Sequence, residues 1–197
     1  MKIWDISRNI QDAPQYPGSE PILVERISDM NCGDVYNLSR ICIDSHSGTH
    51  ADAYNHFYPD KDRGIDAMDL TLYYGMCRVV SVPKKSLLTK DLLLNLWSGE
   101  ERIVLRGGGE AYLAPSGAEY LVECGIKTIV TDALSIAPPD NEAQIHRILL
   151  SSGMAIVENV LLDAVPDGVY TLCAFPLKIS GCDGAPVRAV LIEENKV

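Results

Sequence analysis

The sequence is poor in several residue types that help to assign a protein class. Only four of its 197 residues are histidine, two are tryptophan and two are phenylalanine. The six cysteines include no Cys-x-x-Cys pair and are too sparse for a disulfide scaffold. We therefore expect reduced, buried thiols that pack as small hydrophobic side chains. The six are Cys32, Cys42, Cys77, Cys124, Cys173 and Cys182.

Positive charge and long hydrophobic runs are also scarce. The formal net charge is -10, and the largest basic cluster is the pair Lys84-Lys85. Phosphate binding needs clustered Lys and Arg, so no nucleic-acid partner is expected. No run approaches the roughly 20 apolar residues of a membrane span, and the amino terminus lacks a signal-peptide stretch. We expect a soluble, cytoplasmic protein with no membrane partner.

A hydrophobic content of 47% is enough to build a sizeable core. We interpret residues 1–197 as a single α/β domain with a mixed, partly parallel sheet, because strand and helix patterns alternate in the second half. Residues 7–21 and 45–56 are expected to be loops. The predicted strands are Lys2–Ile6, Asp34–Ile43, Arg78–Val82, Ile103–Leu105, Lys127–Thr131, Met154–Val160, Val169–Phe175 and Val187–Ile192.

Three helices are predicted from apolar periodicity and capping residues. The first covers Leu87–Trp97 with Thr89 as N-cap, and the second covers Tyr120–Cys124 behind a capping box of Ser116 and Glu119. The third follows Asn141 and Gln144 and ends at Gly153. A Gly-Cys-Asp-Gly turn is expected at residues 181–184.

Three of the four histidines lie close together, at His46, His50 and His56, with Asp52 between them. Imidazole and carboxylate are preferred ligands of zinc and manganese, so this pattern predicts a metal site. Gly48 permits a tight turn after His46. If the chain is extended beyond that turn, His50 and Asp52 project to one side, since side chains two apart in a strand share a face.

The alternative is that these are hydrogen-bonded loop histidines without a metal. A zinc finger is disfavoured because no cysteines stand at its spacing, and a helical zinc protease because no Glu follows the first histidine of the His-x-x-x-His pair. An isolated His146 would ordinarily be a core histidine, and Glu158 a solvated strand residue.

The motif resembles the cyclase family that includes bacterial kynurenine formamidase and isatin hydrolase. Its signature His-x-Gly-Thr-His-x-Asp-x-x-x-His is complete here, and Phe57 fits behind it. The flanks 5–7, 16–18 and 183–188 also resemble the family's opening and closing segments. The signature residues are His46, Gly48, Thr49, His50, Asp52 and His56.

The resemblance implies a swivelling β/β/α domain and one or two divalent ions, with zinc favoured and manganese or iron(II) as alternatives. It implies that His46, His50 and Asp52 hold one ion. Asp52 would bridge to a second ion held with His146 and Glu158. His56 would then be free for proton transfer. It also implies a homodimer or homotetramer.

The function that these residues indicate is hydrolysis of a small amide, formamide or lactam, as in an arylformamidase. A metal-dependent cyclase or dehydratase using the same site and a noncatalytic metal-stabilised module are the alternatives. The candidate aromatic residues of the substrate pocket are Trp4, Tyr16, Tyr54 and Phe57. Tyr54 stands where the formamidases commonly have proline, so the resemblance does not name the substrate.

Overall fold

The chain folds around one large mixed sheet, in agreement with the expected α/β class. The computed structural model describes residues 1–194. The strands are β1 (Lys2–Asp5), β2 (Leu23–Ser28), β3 (Leu38–Cys42), β4 (His50–Asp52), β5 (Tyr74–Ser81), β6 (Leu87–Leu88), β7 (Arg102–Arg106), β8 (Tyr112–Leu113), β9 (Thr128–Thr131), β10 (Ala155–Glu158), β11 (Gly168–Cys173), β12 (Gly184–Pro186) and β13 (Val190–Glu193). The α-helices are α1 (Lys90–Leu93), α2 (Pro115–Glu123) and α3 (Glu142–Ser151).

Nine strands form the main sheet in the order β1-β13-β11-β5-β7-β9-β10-β4-β12. The central strands β5, β7, β9 and β10 are parallel, as expected when crossover segments connect them. Antiparallel strands flank this centre on both sides. The short strand β4 therefore lies between β10 and β12, and this position builds the functional site described below.

Both faces of the parallel strands are buried. Ile103 and Leu105 of β7 pack with the helices, whereas Val104 packs into a second core on the opposite face. This arrangement explains why the central strands are almost continuously apolar in sequence rather than alternating. None of the helices within residues 1–194 has the length and hydrophobicity needed to cross a membrane.

Two predicted helices are present, but the cap expected for the first of them, α2, is wrong. Pro115 begins α2 and Ala114 is its N-cap, so Ser116 lies inside the helix instead of capping it. Proline suits the first helical position because its fixed φ is helical and its missing N–H would be unpaired there. Gly125 ends this helix with a φ of 72°. Asn141 is the N-cap of α3, without a side-chain hydrogen bond.

The helix predicted over 87–97 is mostly wrong. Only α1 is helical, and the preceding Leu87 and Leu88 form β6, which pairs with β8. Leu88 is fully buried, and its carbonyl accepts a hydrogen bond from the Ala114 N–H. Asn95 adopts a left-handed φ of 63°, which ends any continuation of the helix. Tertiary pairing thus overrides a helical periodicity.

Other differences arise from strand pairing. Residues 34–37 were predicted to be part of a strand but are not, because only Leu38–Cys42 pairs with β2, a strand that the sequence did not predict. The loop predicted over 45–56 contains β4, and the turn at 181–184 ends at the start of β12. All six cysteines are free, but only Cys77 is buried.

Candidate metal centre

Strand β4 places two of the predicted ligands on one face of the sheet. His50 and Asp52 are two residues apart, and both are almost completely buried. His50 pairs directly with Glu158 of β10, so these side chains lie on the same side. Asp52 pairs with Gly184 of β12 on the other flank. Three segments far apart in sequence therefore meet at this strand.

His46 reaches the same point from the turn that precedes β4. Gly48 has a φ of 64°, a conformation that glycine adopts without steric cost. The ring of His46 lies against the backbone of Gly184, where an added Cβ would be only 2.7 Å from His46 Cε1. The absence of a side chain at position 184 therefore makes room for this imidazole.

His146 joins the cluster from α3. Its Nδ1 lies 2.8 Å from the Glu142 carbonyl oxygen one turn earlier, and His50 Nδ1 lies 2.9 Å from the Gly48 carbonyl oxygen. A carbonyl oxygen only accepts, so Nδ1 of each ring carries the proton. Both rings consequently direct an unprotonated Nε2 toward the carboxylates when they are neutral.

The two oxygens of Asp52 face different histidines. Oδ1 is 3.0 Å from His46 Nδ1 and 3.6 Å from His50 Nε2, whereas Oδ2 is 3.4 Å from His146 Nε2. Oδ2 is buried without a hydrogen-bond partner, which is costly for a carboxylate unless a cation satisfies it. This geometry fits a carboxylate shared between two neighbouring ion positions.

Glu158 lies on the other side of the same cluster. Its Oε2 is 3.4 Å from His50 Nε2, and its Oε1 is 3.3 Å from His146 Nε2. Oε1 also accepts a 2.7 Å hydrogen bond from the backbone N–H of Ile136. The side chain is therefore held in place by the backbone and close to two of the predicted ligands.

The carboxylates of the cluster stabilise positive charge on the neighbouring histidines. Burial lowers the pKa of His46, but the hydrogen bonds with Asp183 and Asp52 outweigh it and raise the pKa to about 10. Burial likewise lowers the pKa of His146, yet contacts with Asp52 and Glu158 raise it to about 11. Burial raises the pKa of Asp52, but His146 and His46 hold it well below its usual range.

These donors fit one or two divalent cations. His46, His50 and Asp52 can converge on one position, and Asp52, His146 and Glu158 on another. Imidazole nitrogens with carboxylate oxygens are a ligand set suited to zinc, manganese or iron(II). A bound cation would supply the positive charge that protonated histidines otherwise provide.

His56 lies beside this cluster and contacts His46 and Asp183. Its ring stacks on that of His46 with centroids 3.9 Å apart. Its Nδ1 is 3.7 Å from Asp183 Oδ2, and the same oxygen is 3.2 Å from His46 Nε2. Residues 183–188 resemble the family's closing segment, but no sequence pattern indicates a role for Asp183.

A cleft of about 410 Å³ opens onto these residues. Of the four aromatic candidates, Tyr16 and Phe57 line it, and Phe57 stacks on His146 at 4.5 Å. The structure places Tyr54 outside the cleft, stacked on Tyr58 with the Arg63 guanidinium over its ring. Trp4 is also outside, where its indole N–H donates to Glu193. The other lining residues are Ser19, Asp44, Ser45, Leu134, Ser135 and Glu142, together with the candidate ligands, His56 and Asp183.

The fold is shared with solved structures of metal-dependent hydrolases. A structure described as a potential metal-dependent hydrolase with cyclase activity aligns with a TM-score of 0.86 at 26% identity, covering 99% of both chains. A predicted metal-dependent hydrolase from Bacillus stearothermophilus aligns with a TM-score of 0.81 at 27% identity, covering 96% of this chain and 97% of that one. Isatin hydrolase A from Labrenzia aggregata, bound to benzyl benzoate, has the same fold at 20% identity, with a TM-score of 0.83 over 98% of this chain and 94% of that one.

The family follows from the sequence itself. The family model described as Putative cyclase matches residues 4–138. The chain therefore belongs to this cyclase family, and the resemblance drawn from the histidine motif is confirmed.

Metal binding by this centre is expected to strengthen as pH rises. In the metal-free protein the raised pKa values keep His46 and His146 protonated at neutral pH, and a cation must displace both protons. Each displaced proton changes the affinity by about tenfold per pH unit, so two protons give up to about 100-fold. Titrations with a competing chelator between pH 6 and 8 measure this slope, and calorimetry in buffers of different ionisation enthalpy counts the protons released.

The same protons give the stability of the metal-free protein a defined pH dependence. Both folded-state pKa values lie above the unfolded value of about 6.5. Their contribution to stability is therefore complete below that value and is lost as pH rises through about 10 and about 11.

Metal affinity that is independent of pH over 6–8 would contradict the proton displacement expected at His46 and His146.

Proposed function

We propose that the protein is a metal-dependent hydrolase of a small amide, formamide or lactam. The observation that carries this proposal is the buried carboxylate of Asp52, whose two oxygens serve two groups of ligands at the base of an open cleft. A closed structural zinc site usually has four protein ligands and no access to solvent. Here the cleft reaches His46, His50 and His146, which favours catalysis over a purely structural role.

The residues of the site are assigned two roles, metal binding and proton transfer. Divalent ions, when bound, lower the pKa of water and polarise a carbonyl group, which suits attack on an acyl carbon. Asp52, Glu158 and three histidines would hold those ions. His56 lines the cleft, and Asp183 faces its Nδ1, which leaves Nε2 as the free nitrogen. We assign His56 Nε2 the transfer of a proton to the departing nitrogen of the substrate.

The charge of the cleft favours a neutral substrate. Asp44 and Glu142 line it, and none of the lysine and arginine side chains that the structure describes does. A substrate carboxylate that lies away from the metal ions would therefore meet acidic side chains with no lysine or arginine among the described residues to pair with it. Hydrolysis of a neutral formamide or lactam should accordingly exceed that of the carboxylate-bearing analogue of the same scaffold.

The direct test is turnover of aryl formamides, isatin and other cyclic amides by protein loaded with zinc, manganese or iron(II). We expect activity that disappears when a chelator removes the metal and returns when metal is restored. Product mass separates the two enzymatic alternatives, because hydrolysis adds water whereas dehydration removes it. Turnover that persists after complete metal removal would refute the proposed function.

We also propose that the protein assembles with copies of itself, as a homodimer or homotetramer. Strands β2 and β3 form a separate two-stranded sheet, and nearly all of their residues are exposed. An isolated hairpin is only marginally stable in water, so a covering surface from a second copy would stabilise it. The exposed apolar side chains of this hairpin are Leu23, Val24, Ile27, Met30, Val35, Tyr36, Leu38 and Ile41.

Sedimentation velocity tests this assembly. The unmodified chain should sediment as a dimer or tetramer, and Ile41→Glu should shift it toward the monomer. Leu92→Glu is the matched control, since it places the same charge at an exposed apolar residue outside the hairpin. A monomeric unmodified chain would refute self-association. If Ile41→Glu and Leu92→Glu sediment alike, the hairpin is not part of the interface.

A further inference from the structure

Asp183 lies beside the candidate metal centre. It directly precedes β12, and its backbone carbonyl accepts a hydrogen bond from the N–H of Ala53, just after β4. Its side chain is only half buried, in contrast to the almost fully buried Asp52 and Glu158. The backbone is thus anchored to the strand that carries two predicted ligands, while the carboxylate borders the cleft.

The carboxylate of Asp183 contacts three side chains of the site. Oδ1 accepts a 2.9 Å hydrogen bond from Ser45 Oγ, which fixes the orientation of the carboxylate plane. Oδ2 is 3.2 Å from His46 Nε2 and 3.7 Å from His56 Nδ1. One oxygen therefore serves both stacked imidazoles.

This contact determines which nitrogen of His46 is available to a cation. In the metal-free protein the protonated His46 donates from both nitrogens, from Nε2 to Asp183 and from Nδ1 to Asp52 at 3.0 Å. A cation would displace the Nδ1 proton, and Asp183 would then hold the remaining proton on Nε2. His50 and His146 do the reverse, since backbone carbonyls hold their Nδ1 protons and leave Nε2 free. A negatively charged acceptor also makes an imidazole a more basic ligand than a neutral one does.

We propose that Asp183 is a positioning residue that sets the tautomer of His46 and orients His56 over it. The His46 part concerns metal affinity and stands without any substrate. The His56 part rests on the proposed hydrolase function. Asp183, His46 and His56 are also close enough to surround a cation themselves, so direct ligation by Asp183 is the competing explanation.

Asp183→Asn tests the proposal because it keeps the shape of the side chain and removes its charge. We expect unchanged metal stoichiometry, an affinity lower by about 10–100-fold, and a kcat lower by a similar factor with little change in KM. Asp183→Glu retains the carboxylate and should recover part of kcat. Asp163→Asn makes the same charge change at an exposed position away from the cleft and should match the unmodified chain.

Metal titration and kinetics separate the explanations. Loss of one metal equivalent in Asp183→Asn would identify Asp183 as a ligand and overturn the positioning role. Unchanged affinity and kcat would also overturn it. If the unmodified protein binds metal but hydrolyses none of the compounds above, the proposed function fails. The metal affinity of Asp183→Asn would still test the role of Asp183 in positioning His46.

Discussion

Replacement of Asp52 by asparagine is expected to abolish turnover and to remove most of the bound metal. The substitution retains the volume of the side chain but takes away the charge that both groups of ligands share. Metal ions contribute several kcal/mol of transition-state stabilisation, so the loss of activity should reach about 1000-fold or more. Elemental analysis of the purified variant together with its turnover measures both effects.

The control for this variant is Asp163→Asn, which alters an exposed aspartate and should preserve metal content and activity. Circular dichroism establishes whether Asp52→Asn remains folded. A folded variant that retains the full complement of metal would show that Asp52 is not the shared ligand.

Replacement of His56 by alanine should separate metal binding from catalysis. His56 lies beside the ligands and lines the cleft, so we expect the metal content to be unchanged. General acid–base catalysis contributes about 10²- to 10⁴-fold, and turnover should fall within that range. Steady-state kinetics on the best substrate and metal analysis of the same sample provide the comparison.

Chemical rescue identifies the missing function of this variant. Added imidazole can enter the space that the ring occupied and should restore part of the rate. His56→Gln fills that space without a group that titrates near neutral pH, so imidazole should restore little. Metal loss in His56→Ala would instead place this residue among the ligands, and full activity would exclude it from proton transfer.

The parts of the fold that the sequence predicted are those determined by local pattern. The central residues of β7, β9 and β10 are apolar and mostly β-branched, and glycines mark the ends of α2 and α3. The helix over 87–97 failed because Leu88 pairs across the chain, which its local periodicity does not reveal. Strands β4 and β12 were missed because three residues in each are extended only through pairing with neighbours distant in sequence.

The metal ligands could be proposed from sequence for two different reasons. His46, His50 and Asp52 are close in the chain, so their spacing alone indicates a metal site. His146 and Glu158 carry no such local signal, and the family resemblance was needed to connect them with the motif. Asp183 was missed because its role depends on β12 pairing with β4, a contact between segments more than a hundred residues apart.

The position of β4 between β10 and β12 has a consequence for how the protein is made. A chain emerging from the ribosome exposes His46, His50 and Asp52 first, and Glu158 and Gly184 follow only after about a hundred or more further residues. Because contacts of such long range form slowly and late, the nascent chain can present at most a partial set of ligands. Metal loading should therefore follow synthesis of the chain through β12, and fragments that contain the motif but stop before Glu158 should bind metal poorly.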